Sequence, residues 1–358
     1  MTVIECTGNG RERGRAHGEQ ARDLVHAALD RWREGTSTRS RRHLASTGLL
    51  AAVEAAVPDL AEEMRGIAEA TAVPFAEILA YNFMDEQWWM HREHLELGCS
   101  VIGRAHTNGV FLAQNMDLPD FMDRSQVVLR LRPETGPEAL VLSSAGMIGL
   151  TGINAAGVGI CVNALGMLHH DSTGLPVAAV IRGALAHSSR DQAVDFLHRI
   201  SHASGQHYAL SDAHGFHGVE CSSAAVVVSC PAGSPLLFHT NHPLANSDLD
   251  PAAERELERE GRITDSRVRL AFLETMVASV RDRSAAERVL ADRTAPLCVT
   301  PRPGRRTQTF GAVAFEFGTT PPTARFCLGL PDQQPWIEPG WRSSPHPVTC
   351  GRPPGEAG

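Results

Sequence analysis

Lysine is absent: all 33 basic residues of this 358-residue chain are arginine. Without a lysine amine the chain cannot run Schiff-base or pyridoxal chemistry, a Ser-Lys amidase mechanism or a P-loop phosphate cradle. An arginine-only basic set also points to a GC-rich bacterial genome, which concerns codons and not function. None of the eight cysteines (Cys6, Cys99, Cys161, Cys221, Cys230, Cys298, Cys327, Cys350) makes a C-x-x-C pair, which removes zinc ribbons and thioredoxin-type couples. No apolar run approaches the roughly 18 to 20 residues of a membrane span. Met1 to Cys6 lack a basic n-region and an apolar h-region, so a secretory signal is not read there and a cytoplasmic protein is expected. The footprint of a nucleic-acid binder is missing as well. Net charge is −8, the positive charges are scattered or paired with acids, and the cluster Arg31, Arg33, Arg39, Arg41 and Arg42 reads as a solvated helix end.

What is present describes a soluble globular protein, 42% hydrophobic and 21% charged, long enough for one large layered domain or two ordinary ones. Residues 1–98 read as mostly helical. Apolar positions at helical spacing run from Glu12 to Trp32 and from Leu44 to Val57; Asp59 is the expected N-cap of a helix over 60–71, and Pro74 opens a short one through Asn82. Gly10, Gly14 and Gly18 imitate a nucleotide-binding glycine motif, but the spacing is wrong and no strand is expected before them. After Cys99 the chain becomes short apolar runs separated by turns, with a hairpin about Asn154-Ala155-Ala156-Gly157. Helices are expected over 177–187 and 189–200, strands from Tyr208 to His239, and a charge-rich stretch over 251–262. Then come a helix capped by Thr264 or Asp265 and running through Val280, another over 284–292, strands over 308–316 and 323–328, and an irregular Pro-rich tail from Pro331. Two sheet layers with helices outside would bury both apolar faces, and no linker demands a second domain.

The stretch that speaks of chemistry is Leu97-Gly98-Cys99-Ser100, followed by Val110 to Gln114 and then Asn115-Met116-Asp117. A Cys that becomes the first residue of a chain carries a free α-amine beside its thiol. With a reference pKa of about 7.7 to 8.0, that amine can take the thiol proton near neutral pH without a histidine. Attack of the Cys99 sulfur on the Gly98 carbonyl, then hydrolysis of the thioester, would create such a residue, and a glycine leaves that carbonyl unhindered. The bland alternative is a buried cysteine after a turn glycine. Asp117 also reads as an ordinary strand-end carboxylate, and Asn241 as a turn residue before Pro243. His169-His170-Asp171 has no third ligand at a recognisable spacing and reads as an exposed loop, so no metal is expected. His17, His239 and His242 could flank a site, although the α-amine removes the need for one.

Taken together, Gly14-Arg15-Ala16-His17-Gly18, Gly98-Cys99-Ser100, Gln114-Asn115-Met116-Asp117, Asn154-Ala155-Ala156-Gly157-Val158 and His239-Thr240-Asn241-His242 resemble the acyl-CoA:6-aminopenicillanate acyltransferase family of N-terminal-nucleophile hydrolases, the peptidase C45 type. The likeness spans most of residues 8–331. It implies an α+β fold, a four-layer αββα sandwich of two antiparallel sheets. It implies a precursor that cuts itself between Gly98 and Cys99 into a helical α segment, 1–98, and a β segment, 99–358, which together form one domain. Asp117, eighteen positions after Cys99, matches the family's site-ordering, substrate-contacting carboxylate, and Asn241 matches an oxyanion-hole asparagine. Met116 replaces the family's aromatic, and with Asn115 it falls where substrate would bind. A late substrate arginine falls near Arg306, with Arg305 or Arg302 as alternatives. The resemblance further implies an acyltransferase or amidohydrolase of bacterial secondary metabolism, antibiotic biosynthesis included. It would need no cofactor, act on a small-molecule acyl donor and an amine acceptor or water, and take acyl-CoA or a carrier-bound thioester as substrate.

Two rivals remain. A papain-like Cys-His hydrolase would keep an intact chain, require one histidine and start a helix at the cysteine. A self-processing scaffold would have no substrate at all.

Overall fold

In a computed structural model, residues 3–38, 47–92, 98–106, 109–295, 297–303 and 306–342 are described. Arg39 to Arg42, the start of the helix expected from Leu44, Asn108 of an expected turn, Arg305 and Cys350 lie outside them. The first element, β1 (Val3–Gly8), is a strand in a segment whose pattern reads as helical. Ile4 and Cys6 point into the core while Glu5 and Thr7 do not, the period of two that a strand needs. It lies parallel to β4 (Gln126–Pro133), with Ile4 opposite Leu129.

Helix α1 (Gly10–Gly35) starts at a capping box: Asn9 Oδ1 accepts from Glu12 N–H at 3.1 Å, and Glu12 Oε2 accepts from Asn9 N–H at 3.0 Å. The glycines of α1 serve packing. A Cβ at Gly10 would lie 2.0 Å from Asp59 O, and one at Gly14 would lie 1.9 Å from Glu63 O. Their four-residue spacing is one face of a helix, and without side chains that face meets α3 (Pro58–Thr71) backbone to backbone. Helix α3 begins at Pro58 with Val57 as its N-cap, so Asp59 sits in the first turn instead of capping it; its Oδ1 accepts Gly10 N–H across the helix pair at 2.7 Å. Short helices α2 (Leu49–Ala56), α4 (Phe75–Asn82) and α5 (Met84–His91) complete the N-terminal layer.

A buried ion cluster ties this layer to the rest. Glu63 accepts from Arg13 Nε at 2.9 Å and from Arg182 Nη1 and Nη2 at 2.7 and 2.9 Å, Arg182 lying on α6 (Val177–Ala184). Burial alone would raise the Glu63 carboxyl; the two guanidiniums outweigh it and hold the carboxyl below its ordinary value.

The strands form two sheets. One runs β1-β4-β5-β6-β7-β8-β9-β10, with β5 (Ala139–Ser144), β6 (Thr151–Asn154), β7 (Gly159–Ala164), β8 (Gln206–Asp212), β9 (Gly215–Cys221) and β10 (Val226–Cys230). The other runs β11-β2-β3-β12-β13-β14, with β2 (Gly98–His106), β3 (Gly109–Pro119), β11 (Leu236–His239), β12 (Thr307–Phe317), β13 (Thr323–Cys327) and β14 (Trp336–Ile337). The six-stranded sheet is antiparallel throughout, as expected. The eight-stranded one is mixed, because β1 joins its edge in parallel. Strands β5, β6 and β7 are buried along their whole length, the signature of a sheet covered on both faces.

Between the sheets, Phe315 and Phe317 reach over the missing side chain of Gly159, and Val162 N–H donates to Gln114 Oε1 at 3.2 Å. Each fully buried phenylalanine contributes roughly 1.5 to 3 kcal/mol. Outside the six-stranded sheet lie α9 (Arg262–Thr275) and α10 (Arg283–Leu290), whose Leu273, Val289 and Leu290 cover Ile102, Phe111 and Ala314. Outside the other sheet lie α1, α3, α6 and α7 (Arg190–Arg199), so the architecture is an αββα sandwich. Helix α8 (Pro251–Arg259) precedes α9. One more expectation shifts: α9 starts after Gly261, with Asp265 inside its first turn, and ends at Thr275 instead of Val280. Helix α10 is capped by Asp282, whose Oδ1 accepts Ala285 N–H. The tail is not wholly irregular, since β14 pairs with β13. Among the described residues no helix is long and apolar enough to cross a membrane.

Candidate active site

Strand β2 starts at Gly98 and pairs with β3 so that Gly98 faces Asp117, Cys99 faces Met116 and Ser100 faces Asn115. Cross-strand partners share a face of the sheet. Cys99 and Met116 therefore look together into a cavity of about 60 Å³ between the sheets, closed by Met147, Val162, Ala164 and Trp88. Gly98, Ser100, Asn115 and Asp117 turn the other way, toward the outer helices.

On that outer face Asp117 Oδ1 accepts from Thr309 Oγ1 at 2.7 Å, and Thr309 Oγ1 accepts Val299 N–H at 2.9 Å. The other carboxylate oxygen lies 2.6 Å from where a Cβ on residue 98 would sit. Only glycine leaves Asp117 in place there. Asn115 is a packing tie: its Nδ2 donates to Leu290 O at 2.7 Å and Leu297 O at 2.8 Å, on the side away from the cavity.

Asn241 follows β11 and comes to Cys99 from the neighbouring strand. Its Oδ1 accepts the Cys99 N–H at 2.7 Å, and its Nδ2 donates to Ala164 O at 3.0 Å. Its own N–H donates to Ser266 Oγ at 2.7 Å. Arg269, one turn further along α9, is 1% exposed and converges on the same spot. Its Nη1 donates to Cys99 O at 2.7 Å and Ser100 Oγ at 3.0 Å, and its Nη2 donates to Asn241 Oδ1 at 2.9 Å. Behind the loop, Glu220 accepts from His239 Nε2 at 2.9 Å and from the amides of Leu244, Ala245 and Asn246, which fixes the chain on either side of Asn241.

Cys99, Asp117, Asn241 and Met116 are thus brought together. Arg306 is not: it is 79% exposed, its Nε donates to Asp120 Oδ2 at 3.1 Å, and it is absent from the cavity wall. Arg302 is also exposed. The guanidinium at the cysteine belongs to Arg269, which no sequence signal separates from the other arginines. Asp85, on the cavity wall, was equally hidden within a generic helical stretch. His17 accepts Gly146 N–H at 3.0 Å, His169 pairs with Asp248 at 2.9 Å on an exposed loop, and His170 stacks on Trp89. Burial pushes His242 down to about 4. Among the described residues no histidine lines the cavity, and Cys99 lies on a strand, both unlike a papain-type site.

Burial pushes the Cys99 thiol up to about 12; the Asp117 charge adds to this and Arg269 partly offsets it. Such a thiol is neutral at physiological pH and needs a base within reach.

The family model for acyl-coenzyme A:6-aminopenicillanic acid acyl-transferase matches residues 104–333. The acyl-coenzyme A:6-aminopenicillanic-acid-acyltransferase 40 kDa form of Emericella nidulans is 26% identical over 276 residues, covering 74% of this chain and 76% of the relative. Among solved structures, penicillin V acylase from Agrobacterium tumefaciens matches with a TM-score of 0.36 at 16% identity, covering 67% of this chain and 86% of that one. With the model matching more than half of its length, the chain belongs to the acyl-coenzyme A:6-aminopenicillanic acid acyl-transferase family.

Proposed function

We propose that this protein is a self-cleaving cysteine N-terminal nucleophile that carries an acyl group as a thioester on Cys99 and passes it to an amine or to water. Family membership supports acyltransferase or amide-hydrolase chemistry, and the cluster about Cys99 supports the finer mechanism. In the first step Cys99 Sγ attacks the Gly98 carbonyl carbon, the Gly98–Cys99 C–N bond breaks, and the nitrogen leaves with the thiol's proton. Water then hydrolyses the thioester, leaving a Gly98 carboxylate and a Cys99 that carries both thiol and amine.

The observation that carries this reading is the Cys99 N–H held on Asn241 Oδ1 at 2.7 Å. That nitrogen is the atom that cleavage turns into the amine, so its acceptor is in place beforehand. In turnover the amine takes the thiol proton, the thiolate attacks the donor carbonyl, and the amine returns the proton to the leaving thiol or amine. An acceptor amine or water then attacks the thioester and gives its proton to the same base. An Asn amide nitrogen has two hydrogens; one from Asn241 Nδ2 goes to Ala164 O, and the second is offered to the oxyanion. Asp117 and Arg269 position the residue, on the Gly98 side and on the Cys99 carbonyl respectively.

The segments 1–98 and 99–358 stay one domain after cleavage, because the β1–β4 ladder, the Glu63–Arg182 pair and the Tyr81–Ser144 hydrogen bond of 2.6 Å all join them. The donor is a small-molecule thioester or amide, and secondary metabolism is the setting we assign.

The test is a quenched reaction with hexanoyl-CoA followed by mass spectrometry. The chain beginning at Cys99 should gain one hexanoyl group, at Cys99. Asn241→Ala should slow acylation by about a hundred- to a thousandfold with little change in KM, the effect of losing one oxyanion donor. An acyl-free Cys99 during turnover would refute the thioester.

A further inference from the structure

His239 ends β11, two positions before Asn241, and no step of the chemistry uses it. It and Glu220, on β9, are 1% and 0% exposed. Both ring nitrogens of His239 face acceptors: Nδ1 lies 2.8 Å from Thr240 O, and Nε2 lies 2.9 Å from Glu220 Oε1. Leu244 N–H donates to that same carboxyl oxygen at 2.6 Å, and the N–H groups of Ala245 and Asn246 donate to Oε2 at 3.0 and 2.7 Å. Three amides aimed at one carboxyl select its ionised form. Burial would raise the Glu220 carboxyl, but the hydrogen bond and charge of His239 and the amides of Leu244 and Asn246 outweigh it and hold the group below its ordinary value. Between a carboxylate and a carbonyl, the ring satisfies both only by donating from both nitrogens, and a ring that does so is a cation. The neighbouring ring agrees with this. His207 stacks on His239 with centroids 3.6 Å apart and planes within 6°, an arrangement that two cations would oppose. Its Nδ1 meets Asn163 Oδ1 at 2.9 Å, its Nε2 has no hydrogen bond among the described residues, and burial, with the His239 charge, pushes it well below its ordinary value.

The pair ties the chain on both sides of Asn241 to one carboxylate. Thr240 to Pro243 form a bridge whose near end is His239 and whose far end is the run of amides from Leu244 to Asn246. Asn163 Nδ2 adds a hold on the near end, donating to His239 O at 3.3 Å. Without the imidazolium, Glu220 would be a buried charge with no cation beside it, and its protonation or movement would release the amides that fix the bridge. We propose that His239 is a positioning residue for acyl transfer: doubly protonated between Glu220 and the Thr240 carbonyl, it holds the turn that keeps Asn241 Nδ2 aimed at the oxyanion. It acts through Asn241 and does not line the cavity beside Cys99. The proposal rests on the acyl-enzyme reading for the role of Asn241, whereas the protonation of the ring can be tested without a nucleophile.

The experiment has two arms. The first is NMR of full-length Cys99→Ala protein with histidine isotope-labelled at the ring nitrogens, the His239 signals being those lost in His239→Gln. Both nitrogens should carry a proton at pH 7, and one bare nitrogen would overturn the proposal. The second is acylation by hexanoyl-CoA, counted per chain beginning at Cys99. His239→Gln loses the charge and the bond to Thr240, and should lower kcat about a hundredfold, the scale of a misplacement of about 1 Å, with KM within about twofold. In an Asn241→Ala background the same substitution should cost less than about threefold, because the two residues act as a unit. Glu220→Gln keeps the side chain's shape without its charge and should behave alike, which covers a His239→Gln protein that does not fold. An undiminished kcat, an equal loss in both backgrounds, or a His239→Gln chain that stays uncut where Asn241→Ala is cut would each overturn the proposal. A wild type whose Cys99 stays free of acyl group would instead refute the thioester, and this proposal with it.

Discussion

Cys99→Ala is expected to yield a folded protein that remains one chain and shows no acyl transfer. Alanine fits the strand position and removes only the thiol, so the pairing of residue 99 with Met116 and its N–H bond to Asn241 survive. Loss of a covalent nucleophile costs on the order of a millionfold in kcat. Without the thiol the bond to Gly98 also persists, so the amine never forms, and both defects should appear together. The pH profile of the wild type carries a second signature. If the Cys99 amine is the base, acylation requires its neutral form, so the rate should be low below its pKa, rise through about pH 8 and level off above. A thiol ionising alone from its buried position, near 12 in the uncut chain, would instead keep the rate climbing through pH 10. Stopped-flow acylation between pH 6 and 10 distinguishes the two.

Glu63→Ala should lower unfolding free energy by about 3 to 5 kcal/mol, the cost of stranding buried charges by removing one partner. Glu63 is 1% exposed and is the shared acceptor of Arg13 and Arg182, of which the first lies in segment 1–98 and the second in 99–358. Urea denaturation with an unchanged m-value would register the loss as stability. A change within about 0.5 kcal/mol, the size of a surface effect, would show that the cluster contributes little. The pH dependence has a definite sign. Because the Glu63 carboxyl is held below its ordinary value, its contribution is complete above the usual glutamate range of about 4.3 and is lost as pH falls through the lowered value. Wild type and variant should therefore converge in acid.

How far this fold was legible in the sequence depends on whether the deciding contact was local. The turn at Asn154 to Gly157 was legible because Gly157, at φ +100, and the Asn154 side chain accepting Val158 N–H are both local devices. The helix expected over 189–200 forms as α7 because its start is also local: Ser189 Oγ accepts Gln192 N–H. Strand β1 was not, because its partner lies more than a hundred residues away and a six-residue alternation is easily lost before a long helix. The glycine spacing in α1 was visible, but its reason, the backbone of α3, was not. At the site, Cys99, Asp117 and Asn241 were read from motif order, and the register of β2 on β3 then separates what that order could not. Met116 shares a face with Cys99, while Asn115 turns away to hold α10. A strand buried on both faces offers no polar-apolar alternation to reveal this. Arg269 escaped for a related reason: a helix face is named by what it packs against, and one arginine among many carries no mark of that.

The most direct test of self-cleavage is the intact mass of purified wild-type protein, with sequencing of its N-termini. Two chains are expected, the larger beginning at Cys99, from the same preparation in which Cys99→Ala stays whole. A wild-type chain that remains joined at Gly98–Cys99 and still transfers acyl groups would contradict it.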